Sequence, residues 1–317
     1  MNARFIRLFG LLAAANLAAW AWALLAFHDQ PLLLGTALLA WSFGLRHAVD
    51  ADHIAAIDNA TRKLMQDGQR PLSVGLFFAL GHSTVVVLVA AGVAMTAALL
   101  AGPFSQFKMV GTLASALFLL AIAAVNLVSL VQLWRRPGEH DLGALARLFR
   151  PLFRLVTRPW HMFPLGFLFG LGFDTATEVA LLGLAALQAA QGLSLVSIMV
   201  FPALFTAGMA LVDAADGALM LRAYDWAFAQ PMRKLFYNFT ITLMSVVVAV
   251  LIAGIELLGL LNERLGLSGR FWDAVGILND HSGALGLVVI GAFVAVWLGA
   301  MALWRYNGLD RLEVADD

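Results

Sequence analysis

Residues 41–58 read WSFGLRHAVDADHIAAID. Arg46, His47, Asp50, Asp52 and His53 crowd into the middle of this stretch, and the sequence on either side is apolar enough to sit in lipid. Each ionisable group at bilayer depth costs about 2.5–3.5 kcal/mol on insertion scales. Five such groups in one lipid-spanning segment are expected only where they serve a function.

The rest of the chain supports the membrane reading. Of 317 residues, 62% are hydrophobic and 13% charged, against about 25% charged in a soluble domain. This is the composition of an all-α integral membrane protein. With zero net charge and no basic stripe interleaved with aromatics, nothing points to nucleic acid. There are no cysteines, which excludes disulfides, thiolate metal sites and thiol nucleophiles. A metal ion would be held by nitrogen, oxygen or thioether sulfur. The start, MNARFIRLFG, has the charge of a signal peptide, but the apolar run continues to Phe27 without a small-residue cleavage site. It reads as a retained first span.

A spanning helix needs about 20 apolar residues. Eight segments qualify, over 5–27, 33–61, 72–100, 109–134, 162–187, 194–221, 236–261 and 281–304. They are expected to form one polytopic domain over residues 1–317, with a longer loop at 135–161. With the N-terminus inside, only Lys108, Arg264 and Arg270 of the 20 Lys and Arg fall in outer segments, and Arg46 is within a span. All the others are inner. The positive-inside rule then places both termini and the 135–161 loop in the cytoplasm, across the plasma (bacterial inner) membrane.

The polar residues at membrane depth concentrate on spans 2, 3, 5 and 6, in RHAVDADH, LGHSTVV, LGFDTATE and GMALVDAADG. Spans 1, 4, 7 and 8 carry few such groups and are expected to face lipid. On an ideal helix His47, Asp50, Arg46 and His53 share a face, and Asp52 falls on the other side, at about 140° from His47. Asp50 lies between the two histidines, able to ligate an ion or to accept a ring N–H and fix the imidazole tautomer. His47 and His53 are nearly two turns apart, so sharing one ion requires a distorted helix or a second helix. Arg46 reads as a counter-ion to Asp50. Taken alone, Asp58 is as readily a packing residue as a ligand. His82 is a candidate third imidazole. In span 5, Thr175 and Glu178 have the spacing of a capping box, which marks either a plain helix start or a break within the membrane. Asp213 and Asp216 share a face of span 6. His28, His140, His161 and His281 lie at span ends or in loops.

GLRHAVDADHIAAI in span 2 weakly resembles GLGFDTATEVALL in span 5, and FFALGHS in span 3 resembles FPALFTA in span 6. Spans 2 and 3 thus pair with 5 and 6. An offset of three spans gives opposite orientations, so an inverted 3+3 repeat with a site near the midplane is expected.

Two imidazoles with carboxylates suit Ni(II), Co(II), Zn(II) and Fe(II) better than Mg or Ca. RHAVDADHI resembles the second-span signature of the nickel/cobalt transporter family, and the motifs of spans 3, 5 and 6 resemble that family's further motifs. The resemblance extends over nearly the whole chain. It implies that His47, Asp52 and His53 are required for metal uptake, and it restores Asp52 to a site from which the helical face removes it. Where the family's span 6 motif has Asp-Thr, this chain has Ala214 and Ala215 between Asp213 and Asp216. The metal-site candidates are His47, Asp50, Asp52, His53, His82, Asp174, Glu178, Asp213 and Asp216. The expected function is a high-affinity nickel or cobalt importer, with the ion as cargo, no cofactor, the lipid bilayer as surroundings and no enzymatic activity. The ligand types do not separate nickel from cobalt, and nothing in the sequence sets an oligomeric state. Alternatives are a related exporter, which often carries a His-rich cytoplasmic loop, and a membrane metalloenzyme. HExxH and GxxxxGK[ST] are both absent.

Overall fold

The computed structural model describes residues 2–95, 156–171, 176–228 and 231–306, with scattered helical positions between 109 and 131. The described residues are all-helical. The helices are α1 (Asn2–Phe27), α2 (Pro31–His47), α3 (Ala51–Gln66), α4 (Val74–Met95), α5 (Met162–Gly170), α6 (Ala176–Ala190), α7 (Leu195–Ile198), α8 (Val200–Phe228), α9 (Pro231–Leu265), α10 (Arg270–Asp280) and α11 (Ser282–Tyr306). A 3-10 turn, Pro159–His161, precedes α5.

Four stretches are long and apolar enough to cross a membrane: Ala3–Phe27, Val74–Met95, Leu195–Asp225 and Leu243–Leu265. Six qualify if the bent pairs α2–α3 and α10–α11 each count as one span. The large apolar side chains left outside, such as Leu25, Leu88, Leu251 and Val288, form the surface that lipid would cover. Much of the fourth expected span, the 135–155 part of the long loop with His140, and Asp174 and Thr175 lie outside the described residues.

Span 2 is two helices, bent by 51° where they meet. The sequence explains the break. After His47 the chain tightens, with Val49 N donating to Arg46 O (3.0 Å) and Asp50 N to His47 O (2.9 Å). Asp50 has extended backbone angles (φ −65°, ψ 146°) and is the N-cap of α3, a position where Asp is favoured. Its side chain caps nothing, because it is turned to His47. In span 5 the described helices are α5, which ends at Gly170, and α6, which runs from Ala176.

Two helix crossings hold these halves in place, and both use glycine. Where α4 crosses α5, a Cβ on Gly81 would lie 1.9 Å from Phe163 O, and one on Gly166 2.1 Å from Phe78 O. Where α2 crosses α8, a Cβ on Gly44 would lie 2.1 Å from Phe205 O, and one on Gly208 2.8 Å from Trp41 O. Each helix contributes an aromatic residue, two spacers and a glycine, and the backbones touch in the manner of small-residue packing in membranes.

The lipid-facing expectation for the outer spans holds in part. On α1, Asn16 accepts from Trp41 Nε1 (2.9 Å) and donates to Ala207 O (3.0 Å), tying α1 to α2 and α8. Spans 4 and 7 are not free of buried polar groups. Asn126, Ser115, Ser245 and Glu256 are all buried. Ser245 Oγ donates to Asp58 Oδ2 (2.7 Å), Asn126 Nδ2 to Asn59 Oδ1 (2.7 Å) and Ser115 Oγ to Glu256 Oε1 (3.1 Å). Tyr224 of α8 hydrogen-bonds the other Asp58 oxygen. These partners lie too far along the chain for any local pattern to reveal them.

Candidate metal centre

The break in span 2 carries His47 and His53 round to one another. His47 closes α2, His53 lies in the first turn of α3, and their ring centroids are 4.6 Å apart. A continuous helix would have separated them by nearly two turns. His82 of α4 completes a triangle, 4.7 Å from the His47 ring and 4.8 Å from the His53 ring. All three are buried, and one ring nitrogen from each falls within 4.8 Å of the others. Among the described residues no other group of three such ligand side chains meets in this way.

Carboxylates orient the rings. His47 Nδ1 lies 3.0 Å from Asp50 Oδ2 and 3.4 Å from Thr177 Oγ1. His53 Nδ1 lies 3.2 and 3.3 Å from the two oxygens of Asp213. A carboxylate accepts, so in each pair Nδ1 is the protonated nitrogen and Nε2 keeps its lone pair. The Nε2 atoms of His47 and His82 are 2.9 Å apart, and His53 Nε2 is buried without a hydrogen-bond partner. Glu178 of α6 lies 2.9 Å from His82 Nε2 and 3.8 Å from His47 Nε2. Nitrogens around one tetrahedral ion are about 3.3 Å apart, given metal–nitrogen bonds of about 2.0–2.1 Å. Here one pair is 2.9 Å apart and all three nitrogens lie within 4.8 Å of one another. Phe78 packs edge-on against His53 at 4.8 Å, and Phe205 lies 5.5 Å from His47, so aromatic rings flank the cluster.

Other candidates are placed differently. Asp52 is half-buried in the first turn of α3, outside the triangle. Asp216 is buried one turn beyond Asp213, with one carboxylate oxygen lacking a partner. Arg46 is exposed and is not the counter-ion of Asp50, whose carboxylate faces His47. Glu178, read from sequence as a helix cap or a ligand, has its carboxylate on His82. Thr177, Phe78 and Phe205 were not singled out from sequence. Neighbouring Glu178 and a position one turn before His82 were the available signals for the first two.

Buried imidazoles and carboxylates where apolar helices meet define a class: a multi-pass membrane protein with a polar cluster in its interior. The particular family follows from comparison. Residues 33–303 match the model of the NicO family, described as high-affinity nickel-transport protein, and the chain belongs to that family. It is 55% identical to the high-affinity nickel transport protein of Cupriavidus necator, covering 99% of this chain and 95% of the relative. It is 40% identical to the high-affinity nickel-transport protein NixA of Helicobacter pylori, over 95% of this chain and 97% of that one. It is also 40% identical to the cobalt transport protein NhlF of Rhodococcus rhodochrous, over 85% and 82% of the two chains. No solved structure matches. The family is one of transport proteins, not enzymes.

Proposed function

We propose that this chain is a permease that imports nickel, cobalt or both across the plasma membrane, with the ion held in transit by His47, His53, His82 and Glu178. The carrying observation is the convergence of three buried imidazoles, each from a different half-helix or helix, in a member of a nickel-transport family. Imidazole nitrogen with one carboxylate is a donor set of borderline softness, suited to Ni(II) and Co(II). Asp50 and Asp213 hold the rings and raise their basicity through Nδ1–H. Together with Glu178 they offset the charge of a dication that has left water. Asp52, Asp174 and Asp216 serve as further oxygen sites along the ion's way in and out.

Inward movement of a dication gains about 2 × 2.3 kcal/mol per 100 mV of membrane potential. That supplies a driving force without a nucleotide or other cofactor, and no P-loop motif is present. Eight spans with both termini and the 135–161 loop in the cytoplasm fit the charge bias. The paired crossings favour an inverted repeat of spans 2–3 with 5–6. Exchanging 2 with 5 and 3 with 6 turns the α4–α5 crossing into the α8–α2 crossing, and both crossings press glycine against backbone.

The test is uptake of radioactive nickel and cobalt into cells and into proteoliposomes holding the purified protein. Saturable inward transport, driven by an inside-negative potential, is the expected result. Cells that lose nickel on expression would make it an exporter, and proteoliposomes that take up no ion would remove the transport reading.

A further inference from the structure

The break at residues 48–50 leaves a backbone oxygen without a helical partner. The ladder passes from Asp50 N on His47 O to Ile54 N on Asp50 O, and no described backbone N–H donates to Val49 O. Inside a bilayer such a carbonyl has no water to turn to. The group that meets it comes from α11, a helix outside the imidazole triangle. A Cβ built on Gly286 would lie 1.7 Å from Val49 O, 2.8 Å from Val49 C and 3.0 Å from Ile54 Cδ1. In glycine that direction carries a hydrogen, so the Cα–H of Gly286 points at the carbonyl oxygen as a weak donor. Gly291 and Gly299, further along α11, have open space in the same direction. Val289 and Phe293 continue the Gly286 face and pack against the core that includes Ala51 and Ala55 of α3.

We propose that Gly286 is a positioning residue for the imidazole site, acting by seating α11 on the Val49 carbonyl. Val49 lies two residues after His47 and four before His53, so the peptide that Gly286 touches sets the angle between the two rings. A side chain at 286 pushes against backbone, which has no rotamer with which to move aside. This inference rests on the ion-binding reading of the triangle.

The test uses purified full-length protein in detergent, with nickel affinity from calorimetry and visible absorption of the Co(II)-loaded protein as a report of ligand number and geometry. Gly286→Ala is expected to weaken nickel binding about tenfold or more and to shift the Co(II) bands, with Gly291→Ala matching the wild type in both. If Gly286→Ala does not accumulate in the membrane, Val289→Ala loosens the same face without a clash, and a smaller change in the same direction is expected. Wild-type affinity and an unshifted spectrum in Gly286→Ala, or in Val289→Ala where it stands in, overturn the proposal. A wild-type protein that binds neither ion overturns this inference and the transport site together, so the two failures are told apart.

Discussion

Helix α3 passes through two buried polar clusters, and they are built on opposite plans. At its start, His53 has one nitrogen on Asp213 and the other free, beside His47 and His82. Just beyond, Asp58 has both oxygens occupied, by Tyr224 and Ser245, and Asn59 is joined to Asn126. Both clusters bear the cost of burying polar groups. The second recovers it within the protein, through hydrogen bonds that tie α3 to α8 and α9. The first leaves two ring nitrogens, His53 Nε2 and His82 Nδ1, without a hydrogen-bond partner, and such a nitrogen can meet a cation. Depth and polarity alone do not distinguish a binding site from a structural knot, whereas the count of unmet donors and acceptors does.

The largest effect expected of this contrast is at the first cluster. His53→Ala or His47→Ala should abolish nickel accumulation while the protein remains in the membrane, as read by radioactive uptake beside immunoblotting. Uptake near wild type in either would show that the open cluster is not the ion site. Next is the ring support: Asp213→Asn should lower nickel affinity by about 10- to 100-fold, measured by calorimetry on the purified protein. An unchanged affinity would mean that His53 does not depend on its carboxylate. The second cluster should respond differently. Tyr224→Phe leaves an Asp58 oxygen short of a donor and should cost about 1–3 kcal/mol of stability, seen as a lower thermal midpoint in detergent, with nickel affinity retained by the folded protein. A large loss of affinity without a loss of stability would move Asp58 from the structural to the functional side. The smallest effect is expected at Arg46, which is exposed at the end of α2. Arg46→Gln should leave uptake within about twofold of wild type, as for surface positions generally.

The legible part of this molecule was the part that lipid makes costly. The apolar helical character of the chain, the polar residues around His47, His53 and His82, and the need for a distortion or a second helix to bring His47 and His53 together all follow from hydrophobic length, insertion cost and helical geometry. The position of the distortion does not, because an Asp at an N-cap and an Asp in a helix look alike until the backbone angles of Asp50 are known. Arg46 looked like a partner for Asp50 because i, i+4 spacing assumes the helix continues, and here it stops at His47. The knot at Asp58 was out of reach for another reason. Ser245 is 187 residues away in sequence and Tyr224 166 residues away. The crossing glycines were hidden by their number, since membrane helices carry many glycines and only contact shows which ones touch a neighbour.

The two glycine crossings have a mechanical side. Contact between main chains, with no side chains interposed, makes a joint that can turn but cannot be compressed. Gly44 sits near the inner end of α2, and the 13 residues back to Pro31 form an arm of about 20 Å. A turn of about 10° at the joint would swing the far end of that arm through about 3 Å, roughly the width of a water molecule. The α4–α5 joint gives the other half of the protein a lever of the same kind.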